Sequence, residues 1–367
     1  MRTATSLRCC FALACLLPCL ASRGDITYGG NARAIAMGGA GLAIVDRSER
    51  NTRINPASLA LLDRRFRVGL PSIGFHASGI PLDQAYKHLI EHPTENDAVS
   101  LARDFGKRQS DFGAALQWGL SAGHIELRAE GYASIHVIPN AALASWAQTA
   151  DGDVRKLTGA ERADMLGAGV VCLPTVGVAE RVSAAGSRTR VEAGVRVKLM
   201  RGIYTHYLVD SANLLNNTAG SPAPELHGRS SVSQYGLGVD LGLLAHPRDH
   251  AGFSGALVVM DLVEPNLRFE GTDASGNPAR YDIQPRSVSV GCAYEAGRTI
   301  CAFDVVDLSR AYGNVQARFG AEYTTRRISL RAGYASARGF TAGFGWGILQ
   351  FAFGAKAPLT VTETLRF

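Results

Sequence analysis

The residues best suited to form a ligand site are glycines near the N-terminus, in the run Met37-Gly38-Gly39-Ala40-Gly41. A loop that cradles phosphate needs G-x-G-x-x-G after a strand, or a Gly-Lys-Ser/Thr ending. Gly39 and Gly41 supply G-x-G, but Ile44 occupies the position of the third glycine and no clear strand precedes the run. The run therefore argues against a nucleotide site.

Residues that could support nucleophilic or metal chemistry lack diagnostic spacing. The chain contains no G-x-S-x-G, and its nine histidines include no H-E-x-x-H pair. His76 and His136 fall within predicted strands, and we interpret them as polar residues that face the lumen of a closed β-barrel. The sequence predicts a protein that is not an enzyme and that has no cofactor or metal. A barrel enzyme using Ser and His is the alternative.

The cysteines beyond the N-terminal region are Cys172, Cys292 and Cys301. Such an odd, sparse set is not a disulfide scaffold. Cys292 and Cys301 lie symmetrically about Ala296–Gly297, so a hairpin centred there would place them opposite each other. We predict that the two are close. Whether they are bonded, or are simply two small apolar residues on a lipid-facing surface, stays open.

Period-two alternation of apolar and polar residues dominates after residue 110 and predicts strands. Between Val315 and Tyr323, Val, Ala, Phe, Ala and Tyr alternate with Gln, Arg, Gly and Glu. Residues 191–199 and 234–243 alternate in the same way. A β-sandwich would show the same pattern, because its strands also have a wet face and a dry face.

The lengths of strands and connections favour a membrane barrel over a sandwich. Segments of about ten residues or more suit a tilted strand that crosses a bilayer. Tight links alternate with long connections between these segments. The tight links lie near 121–124, 184–187, 245–250, 296–297, 325–326 and 347–349. The long connections lie near 79–110, 139–167, 209–230 and 263–285. Outer-membrane barrels have short periplasmic turns and long outer loops. The sequence predicts an all-β, transmembrane antiparallel β-barrel of about fourteen strands in the bacterial outer membrane.

Two long connections contain apolar residues at helical spacing, in residues 82–105 and, more weakly, between Ala141 and Met165. They predict partly helical external loops, which either pack over the barrel mouth or are only locally ordered. In the last strand, Glu363 falls out of the apolar register of Leu359, Val361, Leu365 and Phe367. This break predicts a bulge or a charge near the membrane interface.

The N-terminus has the pattern of a secretory signal. Arg2 and Arg8 precede the apolar stretch Cys9–Ala21, so residues 1–21 are predicted to be a signal peptide. A lipoprotein signal is the less favoured alternative, because Pro18 spoils the approach to Cys19. No later apolar run reaches the length of a transmembrane helix. The formal net charge of +6 does not require a nucleic-acid partner, and none is predicted.

The stretch ARAIAMGGAGLAIVDRSERNTRINPASLALL, residues 32–62, resembles the N-terminal region of the FadL-like family of long-chain fatty-acid transporters. In that family a Met-Gly-Gly-Ala-Gly-type run is followed by an acidic segment and then by Asn-Pro-Ala. Here the corresponding residues are Met37–Gly41, Asp46 and Asn55-Pro56-Ala57. The pattern GFTAGFGWG at 339–347 is similar to the closing hairpin of the same superfamily.

The resemblance implies a barrel over residues 63–367 and an N-terminal hatch over residues 22–62 that folds into it. The implied hatch or gate residues are Gly38, Gly39, Gly41, Asn55, Pro56 and Ala57. Small residues allow the close backbone approach that such a plug needs, and Pro56 fixes the turn into the first strand. A glycine-rich leader with no plug role is the alternative.

The resemblance also implies a function, the passive uptake of small hydrophobic molecules such as long-chain fatty acids. The implied partners are a hydrophobic ligand, outer-membrane lipid and the barrel assembly machinery. Charges in Asp46–Arg53 and the lack of an aromatic stripe leave the ligand open. The alternative is an outer-membrane barrel that is an accessory or interaction subunit of a secretion or conjugation assembly. Its lumen would be permanently closed, and a lumen lined only by salt-linked charges would favour it.

Overall fold

The computed structural model describes residues 32–45, 54–62, 66–69, 71–78, 103–104, 106–107, 110–148, 161–184, 186–210, 230–249, 251–272, 278–311, 313–336, 339–347, 349–354, 357–362 and 364–366. The predicted signal peptide, most of the predicted helical residues at 82–105, and Glu363 lie outside these ranges.

Alternating sequence becomes long strands, as expected for residues that place successive side chains on opposite faces. The strands are β1 (Phe66–Gly69), β2 (Ser72–Ser78), β3 (Ser110–Ala122), β4 (Ile125–Pro139), β5 (Arg162–Arg181), β6 (Thr189–Asp210), β7 (Ser230–Pro247), β8 (Gly252–Val263), β9 (Arg268–Thr272), β10 (Pro278–Asp282), β11 (Ser287–Ala296), β12 (Thr299–Val306), β13 (Gln316–Thr324), β14 (Ile328–Ala335), β15 (Gly339–Trp346), β16 (Leu349–Gly354), β17 (Ala357–Thr362) and β18 (Thr364–Arg366). Among the described residues, the helices with complete bounds are two short α-helices, Ala32–Ala36 and Ala141–Gln148, and a 3₁₀ helix, Pro56–Leu61.

Sixteen of these strands form one antiparallel sheet that closes on itself. β1 and β2 lie end to end against β3, and β18 and β17 lie end to end against β1 and β2. The ring therefore has fourteen strand positions, which confirms the predicted barrel and its strand count. β17 ends at Thr362 and β18 begins at Thr364, and the prediction for Glu363 between them stays a prediction.

The two faces of the ring differ as the alternation predicted. In β13, Arg318 and Glu322 are buried inside while Tyr323 is exposed outside. Large apolar side chains cover the outer face, with Phe340 78% and Tyr235 76% exposed. An apolar exterior and a polar interior are the reverse of a sandwich core and are typical of a transmembrane barrel.

Short turns and long loops occupy opposite ends of the ring, as the sequence predicted. The loop helix Ala141–Gln148 packs through Leu143 and Trp146 on Val137 and Ala163 near the long-loop end. One feature was not predicted: β9 and β10 form a separate hairpin within the connection between β8 and β11.

The predicted register of the β11–β12 hairpin is wrong. The turn is centred on Gly297-Arg298, because Ala296 pairs with Thr299. Cys292 consequently lies opposite Phe303, and Cys301 lies opposite Tyr294. The two cysteines share the outer face two positions apart and form no disulfide. Sequence symmetry misplaced the turn by one residue because Gly297, at φ +61°, is the first and not the second turn residue.

Candidate functional site

The lumen of the ring is occupied by residues 32–45 and 54–62, which we call the inner segment. Its helix Ala32–Ala36 contacts β14 to β17, while its 3₁₀ helix Pro56–Leu61 contacts β5 to β7. Between these two ends, Leu42 and Ile54 pack on Val258 of β8. The inner segment therefore reaches walls on several sides of the lumen. On β5 to β7 its contacts fall in the halves that lead to the short turns. On β12, β14 and β15 they reach the other halves, at Asp304, Gly333 and Thr341.

Glycines on the inner wall let the inner segment approach backbone to backbone. A β-carbon on Gly333 would lie well under 3.0 Å from the Gly38 nitrogen, and one on Gly194 would lie as close to the Pro56 carbonyl carbon. Side-chain β-carbons do not approach backbone atoms this closely, so a larger residue would displace the inner segment. Gly320 and Gly343 face the inner segment in the same way.

Three predicted glycines lie together in this interface. Gly38 and Gly39 have φ of +68° and +83°, a conformation that favours glycine. The Gly38 amide donates to Thr341 Oγ1 at 3.0 Å. The amide of Gly41 donates to Asp304 Oδ2 at 2.7 Å, and the next amide donates to the same oxygen. The run thus binds the wall through its own backbone, and not a phosphate.

Asn55, also predicted, joins the two parts of the inner segment to each other and to the wall. Its side chain is fully buried, and its Nδ2 donates to the Leu42 carbonyl at 3.0 Å and to the Leu243 carbonyl at 3.2 Å. Its Oδ1 accepts from the Ala57 amide at 3.0 Å, which caps the 3₁₀ helix that begins at Pro56. Proline suits this first helical position because its missing amide has no partner there anyway.

A buried ion pair holds the other end of the inner segment. Arg33 donates to Glu322 through Nε at 2.8 Å and through Nη2 at 3.0 Å. Arg331 of β14 also donates to Glu322, and its Nη1 contacts Gln350 at 2.6 Å. Such bidentate charged hydrogen bonds fix geometry as well as adding attraction.

On the long-loop side of the 3₁₀ helix, seven charged side chains form what we call the charge network. Its members are Glu126, Arg128, Glu130, Arg196, Lys198, Asp240 and Asp261. Arg196 bridges Glu126 at 3.0 Å and Asp240 at 3.5 Å. Lys198 bridges Asp240 at 2.7 Å and Asp261 at 2.6 Å. Each buried charge faces an opposite one, which offsets the cost of removing it from water.

Beyond the charge network lies what we call the apolar cluster. Its members are Leu166, Val170, Cys172, Met200, Tyr204, Leu267, Phe269 and Ile283. The β9–β10 hairpin supplies Phe269, whose ring stacks on Tyr204 of β6 with centroids 5.1 Å apart. Gly202 and Gly236 leave room for Leu267 and Pro265, so the hairpin lies directly on the inner wall.

The inner face of β6 shows the order of these layers along the barrel. From the short-turn end, Gly194 contacts the inner segment, and Arg196 and Lys198 belong to the charge network. Met200 and Tyr204 then belong to the apolar cluster. From the long-loop end, the order along β6 is therefore the apolar cluster, the charge network and the inner segment.

Sequence reasoning missed the charge network and the apolar cluster as assemblies. The alternation did place Arg196, Lys198 and Asp240 on one face, and that was the available signal. The ion pairs of the charge network join β4, β6, β7 and β8, so they depend on the register between these strands. Alternation does not encode that register. Leu267 and Phe269 could not be found, because a loop sequence does not reveal that it folds inward.

Among the residues that the structure describes, no helix is long and apolar enough to span a membrane. Within the same ranges, His, Cys, Asp and Glu form no group of three that could hold a metal ion.

Comparisons with known proteins place this geometry among solved barrels. No protein-family model and no curated protein matches the chain. Two mutant structures of the TodX monoaromatic hydrocarbon channel are similar in fold, with TM-scores of 0.54 and 0.55 at 16% and 14% identity. They cover 93% and 94% of this chain, and 99% and 100% of their own. The CymD monoaromatic hydrocarbon channel has a TM-score of 0.51 at 13% identity, over 94% of this chain and 99% of its own.

At these identities the likeness concerns the fold, and it agrees with the closed ring and its apolar exterior. The chain is a fourteen-stranded transmembrane β-barrel that shares the fold of the TodX and CymD structures.

Proposed function

We propose that this chain is an outer-membrane channel for the passive entry of small hydrophobic molecules. One observation carries the proposal. Inside the ring, the apolar cluster places Leu166, Val170, Tyr204 and Phe269 on the long-loop side of the charge network. Ligand sites are mostly apolar with a few polar groups, and the apolar cluster has this composition. The similar folds of hydrocarbon channels support the same function.

We further propose that neutral molecules are preferred over fatty acids. A fatty-acid carboxylate needs a cation, and three basic groups beside the apolar cluster already contact carboxylates. Lys198 contacts two aspartates, and His206 Nε2 lies 2.7 Å from Asp164. Arg268, on the hairpin, lies 3.0 Å from Glu264 and 3.1 Å from Asp282. A ligand carboxylate would have to displace one of these partners.

The inner segment supports a second element of the proposal, a hatch. It is bound to the wall through Gly38, Gly41 and Asn55, and we propose that it closes the lumen. Release of the ligand then requires movement of the inner segment or of the wall beside it. No covalent chemistry is needed, because a hydrophobic molecule moves down its concentration gradient between apolar surfaces.

Equilibrium binding to the purified barrel tests this function. Labelled toluene and labelled palmitate are titrated against the wild type and against Phe269→Ser, which removes one ring of the stacked pair. We expect the wild type to bind toluene more tightly than palmitate, and Phe269→Ser to weaken toluene binding about tenfold or more, as for the loss of a buried aromatic contact. Binding that is unchanged in Phe269→Ser would contradict a site in the apolar cluster.

The alternative of an accessory subunit with a closed lumen is supported by the occupation of the lumen from both ends. The inner segment fills one end, and the β9–β10 hairpin packs into the other. No binding of either probe by the wild type would contradict the channel and favour this alternative.

A further inference from the structure

The outer face of the wall carries a groove of about 360 Å³ near the short-turn end of β7 and β8. A cross-strand row of small residues forms its floor, in which Ala245 pairs with Gly255 and Gly255 pairs with Cys292. Phe253 forms one side, and its exposed ring packs against Tyr294 with centroids 5.6 Å apart. The groove is mainly apolar, with His246 and Ser254 also in its lining, and it opens on the outer face of the barrel.

Two exposed arginines stand at the short-turn end of this groove. Thr189 and Pro247 line the groove, and Arg188 and Arg248 are their neighbours in the sequence. The Arg248 amide donates to the Arg188 carbonyl at 3.1 Å, which holds the two turns side by side. Asp249 is exposed at the same turn, so basic groups outnumber the nearby carboxylate. A basic edge next to an apolar groove matches a molecule with an anionic head and an apolar tail.

We propose that this groove binds one anionic phospholipid of the periplasmic leaflet. An acyl chain lies along the row of small residues, and the phosphate contacts Arg188 and Arg248. The short turns of outer-membrane barrels face the periplasm, so the groove opens into that leaflet. Outer-membrane barrels carry girdles of aromatic side chains at this interfacial depth, and Phe253 and Tyr294 match such a girdle. The inference depends on the orientation of the barrel, and not on what crosses its lumen.

Native mass spectrometry of the full chain in neutral detergent tests the proposal. Phosphatidylglycerol and phosphatidylcholine with identical acyl chains are titrated against the wild type and Arg188→Gln/Arg248→Gln. The wild type is expected to retain one phosphatidylglycerol in preference to phosphatidylcholine. Each basic residue near a membrane surface adds attraction worth about fivefold in affinity, so the double variant should bind phosphatidylglycerol about thirtyfold more weakly.

A second variant fills the groove without changing charge. A β-carbon on Gly255 would have no heavy atom closer than 4.0 Å, so Gly255→Val is accommodated by the backbone and occupies the floor of the groove. It is expected to weaken binding of both lipids. Gly131→Val is the matched control, since Gly131 also has open space around its β-carbon and lies on β4, away from the groove.

Arg326→Gln/Arg327→Gln is the charge control, because both arginines are exposed at the turn between β13 and β14. We expect it to retain phosphatidylglycerol as the wild type does. Equal losses in the two arginine double variants would overturn the proposal in favour of general attraction by the periplasmic rim. The proposal would also be overturned if Gly255→Val bound phosphatidylglycerol as tightly as the wild type does. Displacement of phosphatidylglycerol by millimolar inorganic phosphate would overturn it as well.

Discussion

Replacing Gly333 by alanine should loosen the inner segment while leaving the barrel wall intact. The added methyl group would lie well under 3.0 Å from the Gly38 nitrogen and from the Met37 carbonyl carbon. Both are backbone atoms, held by neighbouring hydrogen bonds, so neither can turn aside as a flexible side chain would. Overpacking of this kind costs about 1–3 kcal/mol, which shifts the balance between bound and displaced inner segment about 5- to 150-fold.

The change is measured as single-channel conductance in planar bilayers and as the thermal unfolding temperature. We expect Gly333→Ala to conduct more often than the wild type and to unfold at a lower temperature. Gly131→Ala is the matched control, because its added methyl group meets no atom within 4 Å. If Gly333→Ala and Gly131→Ala behave alike in both measurements, the inner segment does not close the lumen through this contact.

Three further predictions concern other layers of the lumen. Asn55→Ala leaves buried backbone groups without partners and should lower the free energy of unfolding by about 1–3 kcal/mol, measured by denaturant titration; no loss would show that water replaces the side chain. Glu126→Gln leaves two buried arginines with one carboxylate fewer and should cost about 3–5 kcal/mol in the same titration; an unchanged midpoint would mean that the charge network contributes little. Gly236→Ala places a β-carbon against the Pro265 backbone and should lift the β9–β10 hairpin, detected as faster proteolysis within residues 264–286; unchanged cleavage would contradict the packing of the hairpin on the wall.

The barrel was predictable because its physical signal is local. Alternation such as that from Val315 to Tyr323 indicates whether each side chain faces the lumen or the lipid. The length of each connection indicates at which end of the barrel it lies.

The interior was predictable only in part. The glycine run and Asn55 pointed to close packing, because few other residues tolerate positive φ or satisfy two buried carbonyls at once. The pairing of Arg196 with Glu126 joins residues far apart in sequence, so it depends on the final register of β4 and β6. The β11–β12 turn shows how sensitive register is, since one residue of error moved Cys292 from Cys301 to Phe303.

In the proposed function, hydrophobic molecules cross the membrane through a lumen closed by the inner segment. The most direct measurement is the flux of labelled toluene into vesicles with a lipopolysaccharide outer leaflet, compared among empty vesicles, the wild type and a variant lacking residues 24–57. We predict that the wild type exceeds empty vesicles and that the deletion exceeds the wild type, while labelled glucose does not enter through the wild type. Equal toluene flux in all three preparations would show that toluene does not enter through this barrel.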